Sequence, residues 1–249
     1  MRTIIAALLI FSSGICYGQN DRVNDYNNTN WLQTYNTIGL TKKWGLHIEY
    51  QLRREQVIKY AQQNLLRIGV NHKLNDNVTV HAGYAWAVTF PYGDHPIASA
   101  GTFPEHRIYE QLTIRQQLNK LLFTHRFRIE QRWLGKMKTN TDDNREVESW
   151  TYLNRFRYQF RTQYPLWIKK EKQLYLAAAD EVFINAGKNV GVNIFDQNRI
   201  FLLLGLKFNK KISIEAGYFN QALQQGRRVN NAVIMQRNNG MVLGSFLNL

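Results

Sequence analysis

The 249-residue sequence contains one cysteine and four prolines. The first number excludes a disulfide scaffold. The second, with only 16 glycines, excludes a collagen-like or low-complexity chain. No apolar run approaches the roughly 18 residues a membrane-crossing helix needs, which excludes a helical membrane bundle. Acidic residues are scarce: 18 Asp and Glu stand against 32 Lys and Arg, a formal charge of +14. That excess does not form an exposed basic stripe or arm, so no nucleic acid is expected as a partner. The six histidines show neither His-x-His nor His-Glu-x-x-His spacing, so no metal or other cofactor is expected. What the chain has in quantity is apolar and aromatic residues, 44% and 13%. These argue for a folded chain, and the length suits one domain.

The N-terminus reads as an address. Met1-Arg2 is a positive start, Ile4 to Phe11 is a short apolar run, and Cys16-Tyr17-Gly18 precedes Gln19. This is the three-part layout of a secretory signal peptide over residues 1–18. A lipoprotein reading through Cys16 is weaker, because bulky Ile15 stands where a small residue is needed. Cleavage after Gly18 leaves a mature chain without cysteine, in keeping with export. Residues 19–30 are polar and read as a loose periplasmic lead-in.

From Trp31 to Leu249 the dominant period is two, the signature of half-buried strands. Phe123, His125, Phe127 and Ile129 alternate with Thr124, Arg126, Arg128 and Glu130, and the same rhythm recurs along the chain. Eleven strands are legible, near 31–41, 44–54, 64–74, 78–90, 105–118, 121–134, 149–163, 173–185, 197–208, 212–222 and 239–249. Polar turns such as Asn75-Asp76-Asn77 and Asn119-Lys120 alternate with longer links at 54–63, 91–104, 135–148, 186–196 and 223–237. Short turns at one end and long loops at the other describe an all-β, single up-and-down antiparallel transmembrane barrel. Single-chain bacterial barrels have even strand numbers, so about twelve strands are expected, with ten as the alternative.

The apolar faces are too large and aromatic to fill a small soluble barrel, whose lipocalin-like form is the competing reading. They are expected to face lipid. Trp31, Trp44, Trp86, Trp133 and Trp150 lie near strand ends and are expected to form an aromatic girdle. The charged sets then face a lumen. Reversing the faces would place Arg126, Arg128 and Arg132 in lipid at about 2–4 kcal/mol each near the midplane. The implied location is the outer membrane, with lipid as the main partner. Met241, Leu243, Leu247 and Leu249 end the chain on one apolar face, which the barrel-insertion machinery is expected to read.

The segments Trp44 to Arg54 (WGLHIEYQLRR), His106 to Leu112 (HRIYEQL), Arg126 to Arg132 (RFRIEQR), Arg155 to Gln159 (RFRYQ), Asp180 to Asn185 (DEVFIN), Phe195 to Arg199 (FDQNR) and Glu215 to Tyr218 (EAGY) share an order and spacing. In these the chain resembles the outer-membrane barrel family catalogued as domain of unknown function 2490. The resemblance spans essentially the whole mature chain. It implies a barrel in a Gram-negative outer membrane and supplies no substrate, cofactor or catalytic residue.

The inward sets gather Arg53, Arg67, Arg107, Arg115, Arg126, Arg128, Arg132, Arg155, Arg157, Arg161 and Arg199 against Glu49, Glu130, Glu181 and Glu215. If Asn119-Lys120 is a two-residue turn, Arg115 lies opposite Thr124 and Arg107 opposite Arg132. Two readings stand: a plug of mutually satisfied Arg, Glu and Gln, or a path for an anion held by forked guanidinium groups. The leading expectation is a non-enzymatic structural or narrow-pore barrel. A lipid hydrolase or lipid-A-modifying enzyme would need its catalytic set on the outward face. Pairing Trp133 with Trp150 there places His125 opposite Tyr158 and leaves Asn154 roughly 13 Å away, with no serine alongside. A receptor acting through loops 91–104 and 135–148 is the third reading. Glu110, Asp180 and Asn220 interrupt outward faces, which bulges or headgroup contact would explain.

Overall fold

The computed structural model of the chain describes residues 22–98, 101–139 and 145–249. The expected signal peptide and the first residues of the expected lead-in lie outside the described residues. Period-two alternation resolves into β1 (Arg22–Gly39), β2 (Trp44–Glu55), β3 (Tyr60–Lys73), β4 (Val78–Thr89), β5 (Phe103–Leu118) and β6 (Leu121–Thr139). There follow β7 (Arg145–Lys169), β8 (Lys172–Ala186), β9 (Phe195–Lys207), β10 (Ile212–Val229) and β11 (Ala232–Asn248). Sequential strands pair antiparallel, and β1 pairs with β11 in parallel to close the barrel. Parity requires this seam: in an up-and-down order the first and eleventh strands run the same way. The total therefore differs by one from the even number expected for an antiparallel seam.

Strands are longer than their sequence patterns suggest. Residues 22–30 are not a loose lead-in but the first half of β1, with Asp25, Asn27, Thr29 and Trp31 buried on one face. The expected long link at 223–237 contracts to the turn Asn230-Asn231. Both residues have positive φ, 48° and 67°, the conformation of a tight hairpin turn that asparagine tolerates. At the opposite rim, Asn75 Oδ1 accepts from the backbone N–H of Asn77 and Val78, both at 2.9 Å. Asn209 does the same for Lys211 and Ile212. These side chains supply the turn's missing acceptors, which is why Asn opens both turns.

The faces divide cleanly by chemistry. Phe127, Ile129, Phe156, Leu202, Leu204 and Met241 are exposed on the outer wall, whereas Glu130 and Gln236 are 0% exposed inside. A soluble barrel would show the opposite arrangement. Two small apolar clusters also sit within the lumen: Trp31 with Phe219, Tyr175 and Val242, and Leu65 with Ala85, Ala87 and Tyr109. Gly205 makes room for the first. A Cβ there would fall 2.1 Å from the Tyr175 ring, so glycine lets Tyr175 lie flat on β9 and donate to Glu215 Oε1 at 2.7 Å.

Candidate functional site

Each charged side chain is held in the lumen by strand parity. On β6, residues 126, 128, 130 and 132 share one face, and neighbouring strands add 155, 157 and 161 from β7 and 181 from β8. Cross-strand register stacks them: Arg107 lies opposite Arg132, Arg115 opposite Thr124 and Arg128 opposite Arg157. Like charges face one another, so the ladder holds only because carboxylates are inserted between them.

Glu130 is the hub. Its Oε1 accepts from Arg157 Nη1 at 2.6 Å and its Oε2 from Arg155 Nε at 2.8 Å, while Arg128 lies 3.6 Å away. Glu181 takes Arg157 at 2.7 Å and Arg126 at 2.9 Å. Glu105 holds Arg107 through two bonds, at 2.7 and 2.8 Å, and also accepts from Arg132. Arg155 reaches past β8 to Asp196 at 3.0 Å, and Arg161 reaches Glu215 on β10. Glu49 pairs with Arg67. Arg115 is exposed at the short-turn end and lines the wider part of the lumen.

Buried charge is almost balanced in number but not in pairing. Eight arginines and seven carboxylates are buried among the described residues. Glu105 and Glu130 each bind more than one arginine. Asp25 is committed elsewhere: it accepts from the backbone N–H of His95 at 3.0 Å and from Gln236 Nε2 at 3.1 Å. Among the described residues, Arg53 and Arg199 find only amide partners, Gln51 at 2.8 Å and Gln197 at 3.0 Å. Both guanidinium groups lie over the Trp31 ring, at 4.2 and 5.0 Å from its centroid.

Trp31 is thus not part of a girdle. It is 1% exposed, its ring centroid 4.0 Å from that of Phe219, and its Nε1 donates to Gln62 at 3.3 Å. Trp44, Trp86 and Trp150 are exposed on the outer wall. Trp133 is half-buried against Tyr152, ring centroids 5.3 Å apart.

Two open volumes lie along the lumen, about 290 Å³ towards the long-loop rim and about 620 Å³ towards the short-turn rim. Arg53, Arg67, Arg157 and Arg199 line both, so these four mark the level between them. At the long-loop end, residues 90–98 turn inward. Tyr92 is buried there and donates to Gln236 Oε1 at 2.9 Å. Burial pushes its phenol above the ordinary value, which keeps it a neutral donor. Gln225 and Arg227 of β10 donate to the carbonyls of His95 and Pro96.

Glu105, Asp196 and Asp25 escape a sequence reading. The first two border links, where the alternation breaks. Asp25 lies in a stretch polar on both faces, so no period marks its direction. On the outer wall, His125 Nδ1 hydrogen-bonds Tyr158 Oη at 2.9 Å, yet its cross-strand partner is Phe160. Asn154 pairs opposite Gln131, and Trp133 opposite Tyr152. The register is two residues away from the one that pairing Trp133 with Trp150 predicts. Glu110, Asp180 and Asn220 find lateral partners in Gln131, Asn198 and Asn239.

The fold is of the outer-membrane barrel type. Its similarity to solved structures is distant. A NanC porin structure aligns over 89% of this chain and 98% of its own, at 15% identity and a TM-score of 0.44. The β-domain of the Bordetella autotransporter BrkA aligns over 84% and 83%, at 8% identity and 0.46. OmpT, an outer membrane protein of Vibrio cholerae, aligns over 76% and 58%, at 11% identity and 0.34. No curated protein matches the sequence. The family model described as protein of unknown function (DUF2490) matches residues 28–232, and the chain belongs to that family.

Proposed function

We propose that this chain is a non-enzymatic, integral outer-membrane barrel whose Arg-rich lumen is closed to bulk solute in the state described here. On this reading the short turns face the periplasm, the long-loop rim faces outward, lipid covers the apolar wall, and β11 presents the insertion signal. The carrying observation is that ion pairs run between strands that are not neighbours. Arg155 of β7 to Asp196 of β9, Arg126 of β6 to Glu181 of β8, and Arg161 of β7 to Glu215 of β10 pass over one, one and two intervening strands, so these side chains fill the lumen side of β6 to β10. The inward fold of residues 90–98 supports the same reading from above. It also weighs against a receptor role for that segment, since its hydrogen-bonding groups are spent on the barrel itself. Planar-bilayer recording tests the reading. The intact protein is expected to insert without porin-sized current steps, and Glu130→Gln, which removes the hub of the ladder, is expected to produce them. Large steady steps from the intact protein would refute closure.

A further inference from the structure

We infer that Arg53 and Arg199 form a binding site for a small oxyanion, a carboxylate or phosphate group, at the level between the two open volumes of the lumen. The inference rests on the lumen reading above and assigns a ligand to it. Each arginine is more than nine-tenths buried, at 6% and 7% exposure, and neither makes an ion pair with a carboxylate among the described residues. Burying a guanidinium without an anion is costly, and here two are buried together beside one indole. Their neighbours have already spent the acids: Arg67 holds Glu49, and Arg157 holds both Glu130 and Glu181.

The geometry is that of a prepared site. Arg53 lies over the Trp31 ring and Arg199 between the rings of Trp31 and Phe183, contacts that hold guanidinium groups through their apolar faces and are compatible with N–H edges binding an oxyanion through forked hydrogen bonds. Buried donors in this layer are unsatisfied: Arg53 Nε and Arg67 Nε have no hydrogen-bond partner. Both Arg53 and Arg199 border both open volumes, so an anion beside them has space. The smaller volume, about 290 Å³, lies near the lower end of the range for small-molecule sites. A route exists as well. The wider volume reaches the short-turn rim at Asn209 and Lys210, with Lys207 and Arg115 along it beside the Arg161–Glu215 pair. That funnel of positive charge raises the local concentration of anions.

The test is isothermal titration calorimetry on the intact barrel in non-ionic detergent, with inorganic phosphate and sodium acetate as separate probes in chloride buffer. Saturable binding of at least one probe is expected, weakened about tenfold or more by Arg53→Gln or Arg199→Gln. Arg237→Gln, which removes the same charge from the outer wall, should leave it unchanged. Binding of only one probe tells phosphate from carboxylate. Should a Gln variant fail to fold, Arg53→Lys keeps the charge but loses the fork, and it too should bind more weakly. Absence of saturable binding by either probe, or equal binding by all variants, overturns the site. Current steps from the intact protein refute closure without bearing on the titration, so the two readings fail separately.

Discussion

Arg161 on β7 bonds Glu215 on β10 across two intervening strands, Nη1 to Oε2 at 3.3 Å, and Tyr175 on β8 donates to the same carboxylate. One acid thus ties three strands together across the lumen. The barrel is braced from within, and on the proposed reading its stability and its closure have the same source.

Removing the hub of that bracing should cost most. Glu130→Gln leaves Arg155 and Arg157 with one buried anion fewer each. Loss of one partner from a buried ion pair costs about 3–5 kcal/mol. Urea unfolding in detergent micelles should show a lower midpoint for this variant. Glu148→Gln, at an exposed pair with Lys138, should change the midpoint little.

Trp31 should behave as a core residue and Trp86 as a wall residue. Trp31→Ala removes a fully buried indole and the surface on which Arg53 and Arg199 stack, at about 3–5 kcal/mol. Trp86→Ala opens no cavity, since Trp86 is exposed on the outer wall, and its loss should be clearly smaller. Equal losses would return Trp31 to the girdle.

Asp25 should control the position of residues 90–98. Its carboxylate accepts the backbone N–H of His95 and the amide of Gln236. In Asp25→Ala the segment loses that anchor, so limited proteolysis within 90–98 should become faster while the barrel remains folded. Unchanged cleavage would mean the contacts to Gln225 and Arg227 suffice.

The parallel seam has its own test. Asn28 and Asn239 are direct partners across β1 and β11 and share the outer face. Asn28→Cys with Asn239→Cys should form a disulfide on mild oxidation, since neighbouring strands bring Cα atoms within bonding range. An extra strand between them would prevent it.

These particulars show what a sequence can carry. Strand β6 was legible because Phe127 and Ile129 differ so sharply from Arg126, Arg128 and Glu130 that only one face can meet lipid. The two-residue turn at Asn119-Lys120 also transmitted register faithfully, placing Leu118 opposite Leu121. Across the link between β6 and β7 no such constraint exists, and Trp133 pairs with Tyr152 instead of Trp150. The first half of β1 was illegible because Asp25, Asn27 and Thr29 alternate with Asn24, Tyr26 and Asn28, polar against largely polar. The partners that decide which arginines remain without an acid, Asp25, Glu105 and Asp196, all lie where alternation fades. The arginine cluster could therefore be read from the sequence, but its pairing could not.

The orientation of the two faces underlies everything else, and spin labels on β6 address it most directly. Single labels at positions 125 to 130 in lipid bilayers should alternate in accessibility to dissolved oxygen. Phe127 and Ile129 should be in contact with acyl chains, while Arg126, Arg128 and Glu130 should be shielded from them. The opposite phase, with labels at 126 and 128 in lipid and 127 and 129 shielded, would contradict the inside-out arrangement and with it the arginine-lined lumen.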